Sequence, residues 1–316
     1  MSEPTQTPGP PPRPAQGGGG APSTVALSDA DLPGLFHAAD SASLRAQRHY
    51  LRASSLRLAL ALIAAVVGVV SLHVAGVEAG ALGVAVAFAL ALMVEVWLAL
   101  QRPEEEWVNG RAVAESVKTL AWRFAVGAHP FPRTCSDEGA EEALKHRQND
   151  LLLSVPEATL IPPVTTQVSA GMRRLRSEDL ATRKEGYLSA RIMQQYDWYA
   201  RKARWNASRA QAWRMVLVAS EVCGIALALA RAYDAWSWDL SGIAAAIVGA
   251  GAAWLGTKQH QPLARNYTIA SHELLAIHAR LTHIDDEETW AAEVADAEEA
   301  ISREHTMWRA SRASAT

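Results

Sequence analysis

Two apolar blocks of equal length, residues 58–100 and 215–257, limit what this chain can fold into. Each is 43 residues long, and crossing a bilayer core takes about 20 apolar residues rising ~1.5 Å each. Each block therefore has the length of two spans and a tight turn. The apolar fraction of 49% and formal charge of −3 over 316 residues resemble an ordinary soluble protein, because averaging hides the two blocks. The expected fold is all-α and integral to a membrane. It has four transmembrane helices, near 58–76, 80–100, 215–231 and 240–257, arranged as two tandem hairpins with long cytoplasmic helical extensions.

Charge at the block edges sets the expected orientation. Arg45, Arg48, Arg52 and Arg57 precede the first block, and Arg102, Arg111, Lys118 and Arg123 follow it. Its internal turn, "HVAGVEAG", has neither Lys nor Arg. Arg201, Lys202, Arg204, Arg209 and Arg214 precede the second block, and Lys258 and Arg265 follow it. Its turn, "RAYDAWSWDL", carries one Arg and two Asp, with Trp236 and Trp238 placed like interface anchors. The positive-inside rule then puts both termini and the middle segment in the cytoplasm and both turns outside, in the cytoplasmic (inner) membrane. A soluble bundle with buried Ala-rich hairpins is the alternative, but it gives no reason for basic residues at both ends of both blocks. Residues 1–27 are rich in Pro and Gly and are expected to be a disordered tail. They hold no apolar stretch of signal-peptide type, so the N-terminus is expected to be retained.

Two glutamates interrupt the blocks. Glu95 lies six residues before Gln101, at the end of the second span, and Glu221 seven residues after Arg214, at the start of the third. Both are expected about 9–10 Å inside the cytoplasmic edge. A carboxylate at mid-membrane costs about 2.5–3.5 kcal/mol on insertion scales, and less near the edge. Either each is protonated or reaches a cation such as Arg57 or Arg214, or both face the bundle interior and line a cation-attracting constriction once protomers assemble.

The rest divides as 28–130, a first two-transmembrane unit; 131–163, a cytoplasmic connection; 164–284, a second such unit; and 285–316, an acidic amphipathic helix. The connection contains an amphipathic stretch, "DEGAEEALKHRQNDLL", and a Pro-containing break, "PEATLIPP". From Thr165 the sequence reads as one long charged helix entering span three. The C-terminal helix keeps an apolar row at Trp290, Val294, Ala297 and Ile301. Small residues recur at four-residue spacing in Ala81/Ala85/Ala89, Gly242/Ala246/Ala250 and Ala245/Gly249/Ala253, a pattern that lets helices approach closely in lipid.

The halves overlay as a tandem duplication. Gln47 and Tyr50 before the first hairpin match Gln195 and Trp198 before the second. Gln101, Ala112 and Glu115 beyond the first match Gln259, Ala270 and Glu273 beyond the second. On this pairing the second approach helix is two turns longer. These side chains are candidate contacts of the cytoplasmic helices. The stretches "ADSASLRAQRHYLR", "RAVAESVKTLAWRFAVGAHPF", "RKEGYLSARIMQQYDWYARKARWNASRAQAW" and "YTIASHELLAIHARL" resemble the SLATT domains of prokaryotes, and "AEEAISREHTMWRASR" resembles the end of tandem members. The resemblance covers roughly residues 30–310. It implies a two-transmembrane helical domain with a cytoplasmic extension, associated with nucleotide-synthesising or nucleotide-sensing partners, and a pore-forming effector role in defence.

Enzymatic signatures are absent from the sequence. In "SHELLAIH" the histidines His272 and His278 are six apart, about 240° around a helix, and do not share a face as the pair in HExxH does. No GxxxxGK[ST], GxGxxG or GxSxG occurs. "RRLR", Arg173–Arg176, suits anionic headgroups, a nucleotide or an acidic segment, or a solvated face whose partner is the acidic C-terminal helix. The expectation is a non-enzymatic, cofactor-free, homo-oligomeric pore or channel-like effector in the lipid bilayer. A cytoplasmic nucleotide signal or a nucleotide-sensing partner protein would gate it, and the near-neutral pI of 6.4 argues against nucleic acid. The alternatives are a non-conducting scaffold that recruits cytoplasmic partners through its helical extensions, or an ion transporter coupled through Glu95 and Glu221.

Overall fold

The computed structural model describes residues 25–69, 73–74, 77–154, 166–234 and 240–313. After a 3-10 turn at Asp29–Asp31 come ten α-helices: α1 (Gly34–Val67), α2 (Ala79–Gln101), α3 (Pro103–Val126), α4 (Asp137–Leu153), α5 (Ala170–Ser177), α6 (Leu180–Tyr187), α7 (Gln194–Ala232), α8 (Ser241–Lys258), α9 (His260–Thr282) and α10 (Glu287–Ala313). A π-helical segment, Leu188–Met193, joins α6 to α7, so the chain stays helical from Leu180 to Ala232. Between α1 and α2, His73–Val74 pairs antiparallel with Val77–Glu78. Most of the expected Pro/Gly-rich tail (1–24), the break "PEATLIPP", and Trp236 and Trp238 lie outside the described residues.

Three helical stretches are long and apolar enough to cross a membrane: Gly34–Val67, Ala79–Val126 and Leu180–Ala232. Of their apolar windows 17%, 6% and 0% is buried, which leaves continuous apolar surface that water does not tolerate. The chain is a helical membrane protein. The expected fourth span, α8, is not among these three.

By internal contacts the chain forms two compact units. One gathers the described parts of Met1–Ala46, Glu104–Ala203 and Arg265–Thr316; the other comprises Gln47–Pro103 and Arg204–Ala264. In the second unit, close approach depends on glycine. A Cβ on Gly83 would stand 2.7 Å from Val67 Cγ1, and one on Gly251 would stand 2.7 Å from Leu217 Cδ2. Gly80 and Ala87 are the buried positions of α2, whereas the expected packing row Ala81, Ala85 and Ala89 is exposed. Ala245, Gly249 and Ala253 are exposed as well. A shift of one residue turns a helix by about 100°, so spacing alone does not say which small row faces a neighbour.

In the first unit, buried arginines close the C-terminal end of α3. The last carbonyls of a helix lack intrahelical donors. Arg176 donates to the carbonyls of Phe124 (3.0 Å) and Phe131 (2.7 Å) and to Asp137 (2.9 Å). Arg183 donates to Val126 O at 2.6 Å and pairs with Glu287. The "RRLR" stretch therefore pairs with α4, through Arg173–Glu141 and Arg176–Asp137, and among the described residues it makes no ion pair with the acidic C-terminal helix. Arg176 is buried, which a solvated face does not explain.

The long helix expected from Thr165 is also interrupted. α5 ends at Ser177, and Asp179 is extended and caps α6 by accepting from the Thr182 N–H at 2.8 Å. Just before α1, Leu27 is buried. The Val25 carbonyl lies 2.5 Å from where a Cβ on Gly186 would stand, so glycine there lets this leading segment seat on α6.

Candidate functional site

Glu95 and Glu221 have different surroundings. Arg57 on α1 forms an ion pair with Glu95 on α2, so the nearby cation foreseen for this glutamate is present. The side chains remain 41% and 53% exposed respectively. Glu221 is exposed on α7 and makes no ion pair among the described residues. The foreseen cation, Arg214, instead donates to Gln261 Oε1 at 3.2 Å. Neither carboxylate is buried inside the protomer. The neighbours of Glu221 along α7, Val218, Val222 and Ile225, are exposed apolar side chains, so it is an unpaired carboxylate on an apolar helix surface.

The paired cytoplasmic residues divide similarly. Gln47 is buried with its amide nitrogen unpartnered, and Tyr50 is half-buried. Gln195 is buried, and Trp198 packs edge-on against Tyr199 and Tyr267. Gln101 is exposed at the end of α2. Glu115 is buried and paired with Arg111, whose guanidinium also lies 3.3 Å from Asp40. Glu273 is exposed, so it does not repeat the environment of Glu115.

The backbone shows why. Arg102 and Gln259, 157 residues apart, both adopt left-handed conformations (φ 43° and 51°) and cap α2 and α8. Each donates its N–H to the residue four earlier, Leu98 O and Leu255 O respectively. Aligned on these caps, Arg102 matches Gln259, and Glu115 falls on His272. Gln101 falls on Lys258. Gly110, which packs against Ser43 and Ala39, then falls on Tyr267, which stacks on Tyr199 with ring centroids 5.4 Å apart. The halves repeat as expected, and the caps move the pairing beyond the hairpins by one residue.

A buried cluster escaped sequence reasoning. Glu298 on α10 is 0% exposed and Arg191 in the π segment 2% exposed, and the two form a bidentate pair at 2.8 and 2.7 Å. The Tyr187 hydroxyl (3.0 Å) and Thr119 Oγ1 (2.9 Å) also donate to Glu298. Burial, reinforced by the Glu298 charge, pushes the Tyr187 phenol well above its usual range. Burial lowers Lys118, with Arg191 adding repulsion and Glu115 and Asp29 opposing it. Burial raises Asp40 against the pull of Arg111. Chemically the arrangement holds α10 against α3 and the π segment. Among the described residues no group of His, Cys, Asp or Glu is placed to hold a metal ion. One signal was legible: Glu298 is four residues after Val294, on the side of α10 that carries the apolar row.

Residues 33–184 match the family described as SMODS and SLOG-associating 2TM effector domain 3. Residues 187–308 match SMODS and SLOG-associating 2TM effector domain 1. No curated protein and no solved structure matches the chain. The two matches meet beside the π segment, and together with the repeated left-handed caps they make this chain a tandem SLATT-domain protein.

Proposed function

We propose that this protein is an oligomeric, channel-like effector of a prokaryotic defence system, inserted in the cytoplasmic membrane with both termini inside. α8 is its fourth span: 18 residues rise about 27 Å, and packing against neighbours holds its weakly apolar surface in place. A cytoplasmic nucleotide signal or an associated sensor gates it, and it acts on the bilayer and not as an enzyme. The observation that carries this reading is Glu221, exposed and unpaired on an apolar surface. Intramembrane ionisable groups face a polar partner or a water-filled path, and the described residues of the protomer give Glu221 no ion pair. A second copy supplies the partner or the path.

One form of scaffold has less support. Recruitment through α10 would need a free apolar face, but Trp290, Val294, Ala297 and Ile301 are all buried within the first unit. Coupled transport through both glutamates is likewise disfavoured, because Glu95 is already neutralised by Arg57.

Overproduction in cells loaded with a potential-sensitive dye tests the proposal. The expected result is depolarisation that accompanies cross-linkable oligomers in the membrane fraction. An intact potential with those oligomers present contradicts it.

A further inference from the structure

A cavity of about 200 Å³ lies within the first unit. Its walls are the leading segment (Ser28, Asp29), α3 (Lys118, Trp122) and the π segment with the start of α7 (Arg191, Gln195). Two of these side chains are cationic and more than nine-tenths buried. Arg191 uses Nε and Nη2 on Glu298, while its Nη1 is buried without a partner. Lys118 has a long ion pair of 3.7 Å to Asp29, a side chain 30% exposed. It also lies over the face of Phe36, 5.8 Å from the ring centroid. The buried carboxylates Glu115 and Glu298 are engaged by Arg111 and Arg191. The unmade hydrogen bond on Arg191 is expensive, and Arg191 and Lys118 repel each other across the same space.

We propose that this cavity binds the phosphoryl group of a small ligand between Lys118 and Arg191. A tetrahedral oxyanion presents oxygens to donors on both walls at once, and the Gln195 amide lies in the same wall. Asp29 occupies the Lys118 side when the ligand is absent. Pockets for whole cofactors run about 300–1,000 Å³, so this one takes an anionic end and leaves the remainder of the ligand outside. The π segment forms one wall, so occupancy bears on the helix that continues into an apolar stretch. The site is independent of whether the spans conduct.

The test is calorimetric titration of the full chain in phosphatidylcholine nanodiscs with inorganic phosphate and pyrophosphate, against chloride at matched ionic strength. A parallel arm without added phosphate compares thermal stability with and without phosphatidylglycerol. Saturable binding is expected, weakened about tenfold or more in Lys118→Met. In Asp29→Asn it should be tightened about two- to fivefold, because the competing carboxylate is gone. The Asp29 variant keeps the test decisive if Lys118→Met does not fold, since a purely structural Lys118 predicts no gain. Binding of soluble phosphate assigns a free ligand. A response to phosphatidylglycerol alone that is lost in Lys118→Met assigns a lipid headgroup. Heats no larger than chloride gives, with no lipid response, overturn the site, as does binding that neither variant alters.

Discussion

Glu298→Ala is expected to destabilise the first unit by about 3–5 kcal/mol, because it strands a buried guanidinium. Arg191 would keep its 2% exposure and lose both charge-assisted bonds, and the Tyr187 and Thr119 hydroxyls would lose their acceptor. Burial works against the Arg191 charge, and the Glu298 carboxylate more than restores it, holding the guanidinium above its ordinary range. The whole chain should show an earlier denaturation midpoint, with hydrogen exchange accelerated first in α10 and the π segment. The double change Arg191→Met, Glu298→Leu is expected to recover most of the loss, since replacing both members of a buried pair by apolar groups is often neutral. A single variant as stable as wild type would mean that the pair contributes no net stability.

Trp290→Ala is expected to remove a comparable amount, about 3–5 kcal/mol. Its side chain is completely buried, donates from Nε1 to Val126 O at 2.9 Å, and meets Tyr187 edge-on with centroids 5.9 Å apart. Trp290→Phe keeps most of the ring and loses the hydrogen bond, so about 1 kcal/mol is expected. Arg183 still donates to the same carbonyl, which keeps the milder change mild. The ratio of the two losses, read from denaturant titrations of the full chain, separates packing from hydrogen bonding. Equal losses would place the energy in the hydrogen bond.

These two predictions concern a helix that was partly legible in the sequence. The row Trp290, Val294, Ala297 and Ile301 follows from helical periodicity, and all four are buried. Beyond its place on that side of the helix, the burial of Glu298 was not legible, because a charge reads as solvent-facing until the residue that neutralises it is known. Arg191 lies 107 residues earlier, and no local pattern connects them. The apolar blocks, by contrast, need no partner to be recognised, and three of their four helices meet the length and composition of a span. The duplication was visible in shared spacing. Its register depended on Arg102 and Gln259, two residues with positive φ that nothing in their side chains announces. Glu95 and Glu221 looked alike in sequence, being similarly deep in similar runs. They differ because Arg57 lies across from one, while Arg214 is taken by Gln261.

In the proposed effector, copies of this chain form a conducting path lined by Glu221. The most direct measurement is ion flux through liposomes holding the purified oligomer, with cation and anion permeabilities compared between wild type and Glu221→Gln. Cation-preferring flux is expected, with the preference lost in the variant, while Arg57→Gln/Glu95→Gln, which removes the internal pair, conducts with selectivity unchanged. Correctly inserted, oligomeric wild-type protein that passes no ions, or flux indifferent to Glu221, would contradict it.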